Sequence, residues 1–105
     1  MQHRSVQGGF QERTEEVSSV LKALGNPRRL HVLRLLTMEE LSAAQINDHF
    51  PDLSQSALAQ HLARLREEGL VLTRRQSQTV FYSLAAGSTQ LIMTALNDIY
   101  FSVAS

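Results

Sequence analysis

The sequence predicts a mainly α-helical fold with one small β-hairpin, in a single domain of 105 residues. Residues 54–68 carry leucines at helical spacing, between a serine cap and a glycine stop. Two runs of β-branched and aromatic residues, 71–75 and 79–84, follow at once and predict the hairpin. An apolar segment over 88–102 predicts a last helix. The expected order is therefore four helices, a two-stranded hairpin and a fifth helix.

The N-terminal part predicts a flexible arm and a first helix. The first nine residues are polar, end in two glycines and show no periodicity, so residues 10–105 are expected to form the folded domain. The first helix is expected to begin at Phe10 or Thr14 and to stop at Gly25. Its apolar stripe consists of Val17, Val20, Leu21 and Leu24.

The second and third helices are predicted from their first residues. Asn26 is a natural cap, and Pro27 suits the first helical position because its missing N–H would have no partner there. Ser42 and Gln45 fit a capping box that opens a short third helix, which must end before Pro51. The second helix is apolar nearly all round and should be buried; its apolar residues are Leu30, Val32, Leu33, Leu35 and Leu36.

The fourth helix has an unusual outer face. Opposite its leucine stripe it carries Ser56, Gln60 and Ala63, with Gln55 in the first turn. An ordinary solvated helix would carry Glu and Lys at i, i+4. Glutamine can pair with adenine, serine can bond a base edge or a phosphate, and alanine permits close approach, so this face suits a DNA major groove. Taken alone, the helix fits a surface helix short of charge equally well.

The hairpin favours the DNA interpretation. Arg74 and Arg75 precede its tip, Gln76-Ser77-Gln78. The third and fourth helices would form a helix-turn-helix, and a following basic hairpin is the order of a winged helix-turn-helix, whose wing lies along the phosphate backbone. A hairpin that only closes the core, with solvated arginines, is the less favoured alternative, because the pair lies beside a helix that already suits base contacts.

Six separate segments carry a family resemblance. They are Asn26-Pro27-Arg28-Arg29-Leu30, Leu53-Ser54-Gln55-Ser56-Ala57-Leu58, Gln60-His61-Leu62, Leu65-Arg66, Gly69-Leu70-Val71, and Arg74-Arg75 with Gln78-Thr79-Val80-Phe81-Tyr82. In order and spacing they resemble the ArsR/SmtB family of bacterial transcription regulators, from about Val17 to the C-terminus. The resemblance implies a sequence-specific DNA-binding regulator, expected to be a repressor that binds a near-palindromic operator as a homodimer.

The residue pattern and the resemblance together assign the DNA contacts. Arg28 and Arg29 lie in the first turn of a helix, where the macrodipole disfavours cations, and this local cost suggests phosphate contact, with plain solvent exposure a close alternative. His61 is more simply a structural group, with a phosphate contact as the alternative. The expected base contacts are Gln55, Ser56, Ala59 and Gln60. The expected backbone contacts are Arg28, Arg29, Ser54, His61, Arg64, Arg74 and Arg75.

The apolar residues of the last helix cover more than one face, which predicts a two-fold homodimer through the first and last helices. A dimer would place two reading helices about one DNA turn apart. A different internal packing is the alternative, although a short chain offers little to pack against. The expected interface residues are Val17, Val20, Leu21, Leu91, Ile92, Ala95, Leu96, Ile99 and Tyr100.

The sequence lacks the ligands of the family's known switches. It has no cysteine, which excludes disulfides and zinc–thiolate sites within the chain. Where arsenic- and cadmium-sensing members carry cysteines, the resemblance places Ser42 and Ala44; zinc-sensing members use Asp and His on the last helix, where this chain offers Asp98 without a histidine. Arg34 and Phe101 replace the cysteines of the sulfide-responsive branch. The histidines His3, His31, His49 and His61 lie on separate elements. No metal or cofactor is expected, and a small-molecule effector is left unknown.

Charge and composition weigh against other classes. Ten basic residues balance ten acidic ones, which argues against a general nucleic-acid-binding protein. Residues 54–84, however, contain four arginines and only two acidic residues. A locally basic surface of this kind suits specific binding of DNA. A phosphate loop, a nucleophile elbow and paired carboxylates are all missing, so an enzyme is not expected. A cytoplasmic protein without a membrane partner is expected. A winged-helix module that binds only proteins is the alternative function.

Overall fold

The computed structural model describes residues 2–101, with side chains described over 13–100. Five helices and a hairpin follow in the predicted order, with one short additional strand. The elements are α1 (Gln2–Leu24), α2 (Pro27–Met38), β1 (Leu41–Ser42), α3 (Ala43–Asn47), α4 (Gln55–Glu67), β2 (Val71–Gln76), β3 (Thr79–Leu84) and α5 (Ser88–Leu96), which a π-helical turn over Asn97–Phe101 continues. This confirms the predicted winged helix-turn-helix, in which β2 and β3 form the wing.

One hydrophobic core joins all five helices to the sheet. Helix α2 buries Val32, Leu33 and Leu36 in this core. Leu30 and Leu35, which were also predicted to be buried, pack only partly against it. The leucines of α4 and Met93 of α5 belong to the same core. The remaining core residues are Val20, Ala23, Leu24, Leu41, Ile46, Phe50, Leu70 and Val71. Because α4 and the wing share this core, it fixes their relative position.

The sheet has three antiparallel strands in the order β1-β3-β2. Residues 71–76 of β2 pair with 79–84 of β3 through a two-residue turn, where Ser77 adopts a φ of 58°. The strand β1 pairs with β3 through Leu41 opposite Tyr82 and is missing from the sequence-based expectation. Two residues are too short to show the period-2 alternation that reveals a strand. This strand ties the start of α3 to the wing.

Two expectations at the chain ends differ from the structure. The helix α1 begins at Gln2, so residues 2–9 are helical where a flexible arm was expected, and no element begins at residue 10. Two adjacent glycines weaken a helix without forbidding it, since each costs about 1 kcal/mol relative to alanine. The last helix, expected as one α-helix over 88–102, changes to π-helical geometry at Asn97; residue 102 lies outside the described residues.

Capping side chains begin the helices as predicted. Asn26 Oδ1 accepts hydrogen bonds from the backbone N–H groups of Arg28 (3.0 Å) and Arg29 (3.2 Å). The capping box at α3 is complete: Ser42 Oγ accepts from the Gln45 N–H at 3.2 Å, and Gln45 Oε1 accepts from the Ser42 N–H at 2.9 Å. Each bond satisfies a donor that the helix itself leaves unpaired.

Candidate nucleic-acid interface

The helix α4 is held firmly at both ends. At its start, Ser54 Oγ accepts a hydrogen bond from the Ala57 N–H at 3.1 Å. At its end Gly69 adopts a φ of 75°, and the Leu70 N–H donates to the Leu65 carbonyl at 2.9 Å. These bonds form the Schellman motif that the sequence predicted. A helix closed in this way presents its outer face in a defined orientation.

The turn before α4 is tied to its neighbours. Asn47 Nδ2 donates to the Leu53 carbonyl at 3.1 Å. Phe50 is buried under the turn, and the His31 ring of α2 packs edge-on against it with centroids 4.7 Å apart. His31 is exposed overall, but its partial desolvation lowers the pKa of the ring, which favours the neutral form beside Phe50. These contacts join the helix-turn-helix to α2.

The outer face of α4 is as open as the sequence predicted. Its inner stripe is buried, with Leu58, Leu62 and Leu65 at most 2% exposed. The other sides carry exposed small or neutral polar residues, which are Gln55, Ser56, Ala59, Gln60 and Ala63. All four expected base contacts belong to this set, so one helix presents two amides, a hydroxyl and a methyl group to solvent.

Arg28 already has a partner within the chain. Its guanidinium pairs with both oxygens of Asp52, in the turn before α4, and lies 5.9 Å from the centre of the Phe50 ring. Hydrogen bonds from Arg28 lower the pKa of the Asp52 carboxyl, which therefore stays ionised. A phosphate would have to compete with this carboxylate for Arg28.

Arg29 is mostly covered. Its side chain is 17% exposed, and Nη1 lies 4.0 Å from Glu68 Oε1 at the end of α4. Its Nε is buried and has no hydrogen-bond partner among the described residues. The side chain therefore lies between α2 and the end of α4, and little of it can reach a DNA phosphate.

The two arginines of the wing point to opposite faces. Arg74 lies opposite Phe81 and Arg75 opposite Val80, and neighbouring residues of a strand alternate between faces. Arg74 Nε and Nη2 donate to the Glu40 carboxylate at 2.7 Å each, and Nη1 donates to Gln76 at 3.0 Å. The hydrogen bonds from Arg74 lower the pKa of the Glu40 carboxyl. Arg75 is exposed and makes no ion pair within the described part of the chain.

The other expected backbone contacts lie at the edges of α4. Arg64 is 60% exposed, and its Nε lies 3.5 Å from Glu68 Oε2, one helical turn later. His61 is half-buried beside the leucine stripe, and Ser54 is exposed at the cap. An exposed pair of this kind contributes little to stability, so Arg64 can exchange its partner readily.

Two clefts flank the exposed side of α4, and both include Ala59 and Tyr82. One, of about 360 Å³, lies between α3, α4 and the wing. The other, of about 420 Å³, is lined by Ala59, Ala63, Arg66, Glu67 and Tyr82. Arg66 and Tyr82 were not among the expected contacts. Arg66 lies about two turns after Ala59 on the same flank, a spacing that could have revealed it; the position of Tyr82 depends on the fold.

An apolar surface remains exposed on α1 and the C-terminal helical segment. Leu91, Ile99 and Tyr100 are each about 70% exposed, and Leu21 is 54% exposed. Val17 and Ala95 are also exposed. Three expected interface residues are placed differently: Val20 is 4% exposed and belongs to the core, while Ile92 and Leu96 pack partly against it. The helical spacing of apolar residues does not show which of them pack against the chain's own core and which remain exposed.

Among the described residues there is neither a cluster of potential metal ligands nor a membrane-spanning helix. No three or more His, Cys, Asp or Glu side chains within them form a group that could hold a metal ion. No helix in this part of the chain is long and apolar enough to cross a membrane.

Comparison with known proteins agrees with this geometry. Residues 26–73, which hold the helix-turn-helix, match the family described as bacterial regulatory protein, arsR family. The transcriptional activator HlyU of Vibrio cholerae is 46% identical over 81 residues, covering 77% of this chain and 74% of that protein. Nodulation protein NolR of Rhizobium meliloti is 44% identical over 89 residues, covering 85% and 72%.

Solved structures share the fold. HlyU from Vibrio cholerae superposes with a TM-score of 0.79 at 42% identity, covering 85% of this chain and 96% of that one. A homodimeric winged helix-turn-helix DNA-binding domain from Mycobacterium bovis gives a TM-score of 0.75 at 25% identity, covering 89% and 85%. These likenesses confirm the resemblance seen in the sequence segments. The chain belongs to the arsR family of bacterial regulatory proteins.

Proposed function

We propose that this chain is a sequence-specific DNA-binding transcriptional repressor that binds a near-palindromic operator as a homodimer. The outer face of α4 carries the proposal, because a firmly capped helix presents Gln55, Ser56 and Gln60 to solvent beside a basic wing. Amide and hydroxyl groups can read base edges in a major groove, and Ala59 leaves room for close approach. Relatives named as transcriptional activator or as repressor support a regulatory role.

The exposed apolar surface supports the homodimer. Leu21, Leu91, Ile99 and Tyr100 lie away from the chain's own core. Burying such a surface against a second copy contributes about 25 cal/mol for each Å² of apolar area, from which the entropic cost of association is subtracted. The mycobacterial domain with the same fold is homodimeric. A two-fold arrangement explains why the operator should be near-palindromic.

The function we propose needs no cofactor and no catalysis. A dimer bound to its operator would keep other proteins from the same DNA, so binding alone would repress transcription. Because the chain has no cysteine, any effector must act through something other than thiol chemistry within it. The proposed function places this chain in the cytoplasm, because that compartment holds bacterial DNA.

A winged-helix module that binds only proteins is the alternative function. Such a module needs large apolar side chains on the exposed face of α4. Among the described residues, the exposed large apolar side chains lie on α1, α5, the π-helical turn and the end of α2, and at Leu72 of the wing. None lies on α4, which favours DNA over a protein as its partner.

Selection from random duplexes tests the proposal. Purified protein is mixed with a pool of random duplexes at near-physiological salt, bound DNA is sequenced, and the mass of the protein in solution is measured alongside. We expect enrichment of an inverted repeat by a dimer. A stable dimer that enriches no sequence would instead favour the protein-binding module.

Replacing Gln60 with alanine should reduce discrimination between operator and random DNA. A lost base contact costs about 1 to 3 kcal/mol on the selected site and relaxes preference at one position. Binding to random duplexes should change little, as measured by fluorescence anisotropy. Gln90→Ala is the matched control, because Gln90 is an exposed glutamine on α5. Equal losses on selected and random DNA would show that Gln60 does not read bases.

A further inference from the structure

We propose that the cleft between α4 and the wing, lined by Ala59, Ala63, Arg66, Glu67 and Tyr82, holds one sugar–phosphate strand of the bound DNA. Arg66 and Arg75 are its cationic contacts, and the Tyr82 hydroxyl is its neutral one. This inference rests on the proposed DNA-binding function and names the residues that would carry its electrostatic part. Arg66 and Tyr82 thereby become backbone contacts beyond those expected from the sequence.

The shape of the cleft suits a strand. Ala59 and Ala63 leave a groove along one flank of α4, because a methyl group fills little of the space that a longer side chain would occupy. Tyr82 lines the opposite wall from β3, and it packs partly against the core, so its ring is held in place. Its hydroxyl makes no hydrogen bond to any described residue and can therefore donate one to a phosphate oxygen.

The register of the wing places Arg75 on the same side as this cleft. Thr73 lies opposite Tyr82 and Arg75 opposite Val80, so alternation puts Arg75 and Tyr82 on one face. Arg66 reaches the cleft from α4. Arg66 thus lines the cleft from α4, and Arg75 lies outside the lining on the wing face that also carries Tyr82. A strand in the cleft would then have one cation on each of the two elements.

Ion pairing distinguishes Arg66 and Arg75 from Arg28 and Arg74. Arg28 pairs with Asp52 and Arg74 with Glu40, so a phosphate would have to displace a two-point carboxylate contact from either of them. Arg66 and Arg75 make no ion pair or side-chain hydrogen bond within the described residues, so binding would displace only solvent and counterions from them. Their share of the electrostatic free energy of binding is therefore the larger.

Glu67 also lines the cleft, and its negative charge would disfavour a phosphate there. Its carboxylate would repel a strand in the groove, so its presence limits how tightly the cleft can hold DNA. Under this proposal Glu67→Gln strengthens binding to every duplex, because it removes a repulsive charge while keeping the size of the side chain.

The salt dependence of DNA binding tests the cleft. We would measure affinity for one fixed random-sequence duplex over a range of salt concentrations, for Arg66→Ala, Arg75→Ala, Arg28→Ala and Arg74→Ala. Each phosphate contact contributes about 0.9 to the slope of log K against log salt, so loss of Arg66 or Arg75 from both protomers should lower the slope by about 2. Arg28→Ala and Arg74→Ala should lower it by less.

Two further variants complete the experiment. Lys22→Ala removes an exposed cation from α1 and should leave the slope unchanged, which controls for net charge. Tyr82→Phe keeps the packed ring and should weaken binding several-fold on all duplexes without changing the slope. Circular dichroism confirms that each variant is folded.

The outcomes distinguish a failure of this inference from a failure of the proposed DNA-binding function. If the native chain binds DNA but Arg66→Ala and Arg75→Ala keep its slope, the strand does not lie in the cleft, while the DNA-binding function stands. The same conclusion follows if Arg28→Ala or Arg74→Ala changes the slope more. If the native chain binds no duplex at all, both proposals are wrong.

Discussion

Leu91→Glu should prevent the proposed homodimer from forming and nearly abolish binding to the proposed operator. Leu91 is 71% exposed on α5 and faces away from the chain's own core, so a charge there leaves the monomer folded. In a dimer interface the same carboxylate would be buried without a partner, at a cost of several kcal/mol. Because the two half-sites would no longer be bound together, affinity should fall by about 10²- to 10⁴-fold.

Analytical ultracentrifugation and anisotropy on the selected operator measure the two effects together. Gln90→Glu is the matched control, since it adds the same charge at the next position of α5, outside the exposed apolar surface. It should remain dimeric and bind normally. A dimeric Leu91→Glu variant with native affinity would place the interface elsewhere and leave the apolar surface of α1 and α5 without a function.

Leu65→Ala should lower the free energy of unfolding by about 2 to 5 kcal/mol, the range for truncating a fully buried leucine. Leu65 is 0% exposed and lies where α4 meets the core. The loss combines the missing apolar contacts with the cavity left behind, which the neighbouring helices fill only in part. Urea unfolding at one fixed protein concentration measures the loss, because the stability of the proposed dimer would depend on concentration.

Leu72→Ala provides the comparison. Leu72 is 55% exposed on the outer face of the wing, so its truncation should cost less than about 1 kcal/mol. If the two variants lost equal stability, α4 would not be packed as the structure shows. At temperatures where Leu65→Ala remains folded, its preference among DNA sequences should be unchanged, since the side chain faces away from the groove.

The helix ends and the open face of α4 were predictable because they depend on neighbours in the chain. Asn26, Ser42, Ser54 and Gly69 act on backbone groups within a few residues, so their effects can be predicted from spacing alone. The same holds for Gln60, which lies opposite the leucine stripe by helical geometry. The short strand β1 escaped prediction because its partner is distant in the sequence and its two residues carry no period.

The sequence by itself determined the fold class, the element order and the polar face that suits a DNA groove, because local spacing and capping specify each of them. Only the tertiary structure decided which arginines are available. Asp52 pairs with Arg28 across 24 positions and Glu40 with Arg74 across 34, and the pleat of the wing turns Arg75 away from Arg74. A charge is available or occupied according to what folding brings beside it, and such long-range neighbours leave no periodic signal in the chain.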